Sequence, residues 1–243
     1  MTRAVRRVLP VLVLLALVAL GAAAALSVRS PKPLPPRPAA SRPALLLLTS
    51  LPLVFGEQFS LRQNGSAALR SLETRYRVIP VSVTDPAELA KGKLLLMAHP
   101  LAQPAEDLVA LDRWVRGGGR LLLLADPMLE WPSERPLGDA LRPPSTFADT
   151  GLLAHWGLRL DAPDERGPRM QKLGGFRVLT QSPGRLSGRC DISGDRLVAH
   201  CRLGKGKATV VADADFLDAP KLGPAADHNF DGLLEELAQL EHS

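Results

Sequence analysis

LLLMAHPLAQPAEDLVALDRWVRGGGRLLLLADPM, residues 94–128, sets out a strand, a helix and a second strand. The runs Lys93–Ala98 and Arg120–Ala125 are short and solidly apolar. Continuous rather than alternating apolarity is what strands covered on both faces require, as in a parallel sheet. Between them Pro104–Arg116 reads as a helix. Its proline stands at a first-turn position, Glu106 and Asp107 complement the dipole, and Gly117, Gly118 and Gly119 stop it. Leu108, Leu111 and Val115 fall on one face with Trp114 beside them, a core stripe rather than a cofactor box.

The same pattern extends outward from this unit. Ala44–Leu48, Tyr76–Val81 and Ala208–Ala212 repeat the short apolar run, and Ser66–Arg75 reads as a helix before the second of them. Residues 126–160 loosen into Pro-rich loops, with a short helix at Asp149–Trp156 stopped by Gly157 and an extended Leu158–Leu160 behind it. Phe176–Arg202 reads as β-hairpins divided by Ser182-Pro183-Gly184 and Ser193-Gly194-Asp195. A last helix, Asn229–Leu240, turns Leu233, Leu234, Leu237 and Leu240 inward. No internal repeat interrupts this order. The expectation is one α/β domain over residues 44–243, a three-layer sandwich around a mainly parallel sheet with a late β-hairpin insertion.

The N-terminus has a different character. Arg3, Arg6 and Arg7 precede Val8–Val28, a run of 21 uncharged residues, long enough at ~1.5 Å per residue to cross a ~30 Å bilayer core. Residues 1–29 are thus expected to be a signal anchor forming one transmembrane helix. The alternative is a cleaved signal peptide, with Val11–Leu20 as its apolar region and Ala23, Ala24 and Ala25 at the cleavage site. Residues 30–43, SPKPLPPRPAASRP, have six prolines in fourteen positions and read as an extended, stiff linker. Large domains translocate largely regardless of local charge. The body is therefore expected in the periplasm or extracytoplasmic space, held on the inner membrane by a single pass through residues 8–28.

Charge supports that division. Met1–Pro43 carries seven basic residues and no acidic one; removing these seven from the 30 Lys and Arg leaves 23 against 25 Asp and Glu, a net −2 for the body. The basic leader accounts for the overall +5, and the body lacks the charge signature of a nucleic-acid partner. Cys190 and Cys201 flank a turn signal. In an oxidising compartment an even pair of this kind is expected to form a disulfide, the alternative being two thiols out of register. Their spacing matches no zinc site.

The chain contains no G-x-x-x-x-G-K-[ST], G-x-S-x-G, H-E-x-x-H or C-x-x-C motif, and Gly204-Lys205-Gly206-Lys207 precedes a strand and reads as a turn. The candidate ligand-binding residues are His99, Asp126, Asp213 and Asp215, each at the end of an expected strand. In a parallel sheet those ends share one rim, where open α/β folds bind ligands. The same residues serve equally as turn initiators and caps, and no spacing among them specifies a metal. No cofactor is expected. His228-Asn229 opens the last helix as a cap rather than as a catalytic pair.

Four segments carry a resemblance: LLLLTSLPLVFGE at 45–57, the stretch at 94–128, LLAHWGLRL at 152–160 and GKGKATVVADADFLD at 204–218. Together they resemble the periplasmic domain of ABC-transporter auxiliary proteins, a group that includes the gliding-motility auxiliary component. The resemblance implies a flavodoxin-like or class I glutamine amidotransferase-like fold, with ABC-transporter subunits or other envelope proteins as partners. Amidotransferases need a Cys on a strand-to-helix elbow activated by His and an acidic partner. Here both cysteines lie in the hairpin region, so the resemblance carries over the scaffold and no catalytic residue. The expected function is a membrane-tethered, non-catalytic binding or scaffold component of an ABC-type transport system. The alternatives are a hydrolase or carbohydrate-active enzyme using the Asp-rich rim, and a structural envelope spacer.

Overall fold

The computed structural model describes residues 31–56 and 65–242. The chain divides into two compact units, 1–32 and 33–243. The expected membrane span at 8–28 lies outside the described residues. Among the described residues no helix is long and apolar enough to cross a membrane.

The first half alternates strand and helix: β1 (Ala44–Thr49), α1 (Ala67–Glu73), β2 (Arg77–Pro80), α2 (Pro86–Leu89), β3 (Leu94–Ala98), α3 (Ala105–Arg116) and β4 (Arg120–Leu124). An excursion follows, with α4 (Leu152–His155), β5 (Leu158–Asp161), β6 (Pro168–Leu173), β7 (Phe176–Gln181), β8 (Arg185–Gly188), β9 (Asp191–Ile192) and β10 (Val198–Leu203). The chain then returns through β11 (Gly206–Val211), α5 (Ala219–Leu222) and α6 (Asn229–His242). Seven strands form one sheet in the order β2-β1-β3-β4-β11-β10-β9. The first five are mutually parallel. β10 and β9 are antiparallel additions. The parallel part has the strand order of a doubly wound sheet, with its switch between β1 and β3.

The apolar runs are continuous because both faces are covered. Leu45 and Leu47 enter a core with Leu72 of α1 and Leu233, Leu237 and Leu240 of α6. Leu46 and Leu48 point the other way, to Leu89, Leu111 and Val115 of α2 and α3. The sequence thus forms a three-layer α/β sandwich. Gly206 lets α3 approach β11, since a Cβ there would lie 2.0 Å from the Val115 carbonyl oxygen.

Three expectations need correction. The proline segment does not stand clear of the body from residue 33 onward. Leu34 packs on the core, the Arg37 N–H donates to Thr74 O at 2.9 Å, and its guanidinium pairs with Glu241 at 2.9 Å. An extended proline helix has three residues per turn, so residues 34 and 37 share a face that docks. Second, Ser182-Pro183-Gly184 closes no hairpin: β7 pairs with β6, and β8 with β5. Ser182 sits at φ +47 and Gly184 N–H donates to Ala212 O at 2.7 Å, which turns the chain out of the β7 ladder. Third, β6 lies in a stretch not read as a strand. Its hairpin with β7 closes through Gly174 and Gly175, both at positive φ, the Gly-Gly turn favoured in two-residue hairpins.

Candidate functional site

β4 and β11 are parallel neighbours, with Leu124 opposite Val211. Asp126 follows the end of one and Asp213 and Asp215 the end of the other. The sheet therefore brings three of the four candidate residues together: carboxylate oxygens of Asp126, Asp213 and Asp215 lie within 4.8 Å of one another. All three residues are buried. Each binds backbone. Asp126 accepts from the N–H groups of Met128 and Ala214, both at 2.8 Å. Asp213 accepts from Phe216 at 2.9 Å and Gln181 at 3.0 Å, and Asp215 accepts from Glu130 at 2.7 Å. The cluster ties β4, β7, β11 and the loop after β4 into one rim.

Burial and mutual repulsion oppose three negative charges in this space. Burial pushes the Asp126 carboxyl up to about 6, against hydrogen bonds that favour its ionised form. Asp215 is pushed up to about 8, by burial first and then by the Asp126 charge. Asp213 is raised well above the ordinary carboxylate range by burial and by both neighbours. Carboxylate oxygens are the donor type a hard cation takes. Both oxygens of Asp126 and of Asp213 also accept a backbone N–H, so part of the cluster's accepting capacity is spent on backbone.

His99 lies at the end of β3 and is not one of the three clustered residues. It is fully buried with φ +46, and its Nε2 lies 2.7 Å from Pro144 O. Burial lowers its pKa and keeps the imidazole neutral, so Nε2 carries the proton toward that carbonyl. Its backbone N–H donates to Leu124 O at 2.9 Å, and its carbonyl accepts from the Ser50 hydroxyl. His99 thus holds the loop around Pro144 over the rim.

Above the cluster opens a cleft of about 530 Å³, bordered by Met128, Glu130, Thr146, Arg166, Gly167 and Gln181 among others. Its acidic group is the exposed Glu130. The Ser182 hydroxyl donates to Oε1 at 2.6 Å and Gln181 Nε2 to Oε2 at 2.7 Å; these bonds, the Ser182 contact foremost, lower its pKa. Sequence reasoning missed Glu130, Gln181, Ser182 and Arg166. A Pro-rich loop and a Ser-Pro-Gly stretch gave only turn signals. Asn229 is also more than a cap. Buried, it accepts from Leu179 N–H and donates to the carbonyls of Leu179 and Phe216, all within 2.9 Å.

Cys190 and Cys201 form a disulfide with Cα atoms 4.8 Å apart. The register that pairs Asp191 with His200 and Ile192 with Ala199 sets them directly opposite. Beside them His200 Nε2 lies 3.1 Å from the Glu236 carboxylate, which raises the imidazole pKa.

Among solved structures, the chain is similar to an exo-β-1,4-mannosidase from Opitutaceae bacterium strain TAV5, at 14% identity and a TM-score of 0.48, over 82% of this chain and 36% of that one. It is similar to a β-galactosidase from Bacillus circulans sp. alkalophilus at 14% identity and a TM-score of 0.42, over 83% and 31%. The chain thus spans about a third of either glycosidase. The mmIFT52 N-terminal domain matches at 12% identity and a TM-score of 0.51, over 81% of this chain and 96% of that domain. At that identity it shows the fold alone. No curated protein matches by sequence. The family model for an ABC-type uncharacterized transport system matches residues 42–163, from the approach to β1 to just beyond β5. That span is half of the chain and contains the four parallel strands β2-β1-β3-β4 with their helices. The chain belongs to this family of ABC-type transport system proteins.

Proposed function

We propose that the protein is a membrane-tethered, extracytoplasmic scaffold or binding component of an ABC-type transport system, with no catalysis of its own. One observation carries this reading: the polar residues at the strand ends are spent on holding backbone. Asp126 and Asp213 have both oxygens engaged by N–H groups. His99 braces a loop. In this reading His99, Asp126, Asp213 and Asp215 shape the binding rim from beneath, and the Glu130 cleft is its open face. A glycosidase would need two carboxyl groups roughly 5–9.5 Å apart across an open site, whereas Glu130 is the one carboxylate bordering this cleft among the described residues.

The tether rests on the apolar run at 8–28 and on the disulfide, which suits an oxidising compartment. Protease added to intact spheroplasts should digest the body while cytoplasmic controls survive. Full protection of the body would contradict the tethered, extracytoplasmic reading. Turnover of an ester, amide or glycoside by the purified chain would contradict the non-catalytic one.

A further inference from the structure

We infer that the N-terminal edge of the sheet is a basic surface that rests on anionic lipid headgroups. This deepens the tethered reading and rests on it for the choice of partner. The strands place the charge: β2 begins at Arg77, Lys93 precedes β3, β4 begins at Arg120 and Lys207 opens β11. Ladder pairs align Lys207 with Arg120 and Arg120 with Leu94 across the edge. α3 runs back to end there at Arg113 and Arg116, and the end of β10 and the turn after it add Arg202 and Lys205. Arg77, Lys93, Arg113, Arg202 and Lys205 are exposed and Lys207 is half-buried; none of the six forms an ion pair among the described residues.

The acids at this edge are fewer. Glu88, Asp112 and Glu241 are paired with Lys91, Arg116 and Arg37 and Glu236 is engaged by His200, which leaves Glu73 and the exposed Asp191 against these six cations. The unpaired cations thus concentrate where the strands start.

The chain enters the body at this same edge. Arg37 N–H reaches Thr74 O at the end of α1, and Pro43 O accepts from Arg77 N–H at 2.9 Å. Residues 33–43 are thus fixed on the basic edge. The N-terminal anchor proposed above would therefore join the body on its basic edge. Clustered Lys and Arg within a Debye length of an anionic leaflet are attracted to it, and salt weakens that attraction.

The test mixes the full-length chain with vesicles of phosphatidylcholine alone or of phosphatidylcholine with phosphatidylglycerol. The rate at which a water-soluble acylating reagent modifies each lysine is read by peptide mass spectrometry. Lys93, Lys205 and Lys207 should react about threefold or more slowly with the anionic vesicles and recover in high salt. Lys172 and Lys221, away from this edge, should keep their rates. Arg202→Glu combined with Lys205→Glu should abolish the lipid-dependent slowing at Lys93; if that variant misfolds, the wild-type rates decide. Equal rate ratios for edge and control lysines would overturn the inference. Flotation of the same samples reads the tether separately. A chain that fails to float with phosphatidylcholine contradicts the tether, while phosphatidylglycerol-dependent slowing at the edge lysines would still support the surface.

Discussion

At Asp215 burial and hydrogen bonding pull the same carboxyl in opposite directions. Burial dominates and pushes it up to about 8 from the ordinary 3.8. A folded pKa above the unfolded one means that the native state holds a proton the unfolded chain has released. The stabilisation is complete below the unfolded value and is lost as pH rises through the folded one. The melting temperature should therefore fall as pH is raised from about 4 to about 8, with Asp126 contributing up to about 6. Asp215→Asn, which imitates the protonated form and can still accept from Glu130 N–H, should flatten that decline. A melting temperature that rises over this interval would contradict the protonated cluster. Asn229→Ala would strand the N–H and carbonyl of Leu179 and the carbonyl of Phe216. The expected loss is about 3 kcal/mol or more, read as a lower midpoint in urea. The three aspartates were legible in the sequence as polar residues at strand ends, but their partners were not. Asp126 is engaged by Ala214, 88 residues away, and Asp215 by Glu130, 85 residues away, and no local pattern specifies such pairings.

Strands legible as apolar runs are those whose surroundings are simple. Between two helical layers every residue of Leu94–Ala98 is buried, so the run is continuous and identifies itself. β6 is largely exposed, and Pro168–Leu173 has too few apolar residues to signal a strand, although Gly174 and Gly175 mark its turn. The pairing of β8 with β5 instead of β7 is a tertiary choice that the Ser182-Pro183-Gly184 stretch does not encode. The β9–β10 ribbon has a shorter logic: Ser193–Asp195 turns the chain, and the register brings Cys190 and Cys201 face to face. Closing a separation of 11 residues is expected to contribute about 3 kcal/mol in the chain-entropy account. Reduction should lower the melting temperature by about 6–12 °C in a domain of this size. Two titratable thiols in the denatured, unreduced chain would show that the bridge is absent.

Across the whole molecule, chemistry is sorted by the direction of the strands. Their C-terminal ends gather buried acids beneath the Glu130 cleft, and their N-terminal ends gather basic side chains around the segment by which the chain enters. In the proposed reading one end would meet a polar partner or ligand and the other anionic lipid headgroups. That arrangement suits a component that presents a rigid face to a transporter. If the cleft serves as that face, Glu130→Gln should weaken association and lower the melting temperature by only a few degrees, because the backbone N–H anchor to Asp215 is retained while one of the bonds from Ser182 and Gln181 is weakened. The central claim, service to an ABC-type transport system, is tested most directly by isolating the full-length tagged chain from solubilised membranes and quantifying what accompanies it by mass spectrometry. The account predicts permease and ATPase subunits of an ABC-type transporter in near-stoichiometric amount. Recovery of the chain by itself, with those subunits left in the unbound fraction, would contradict it.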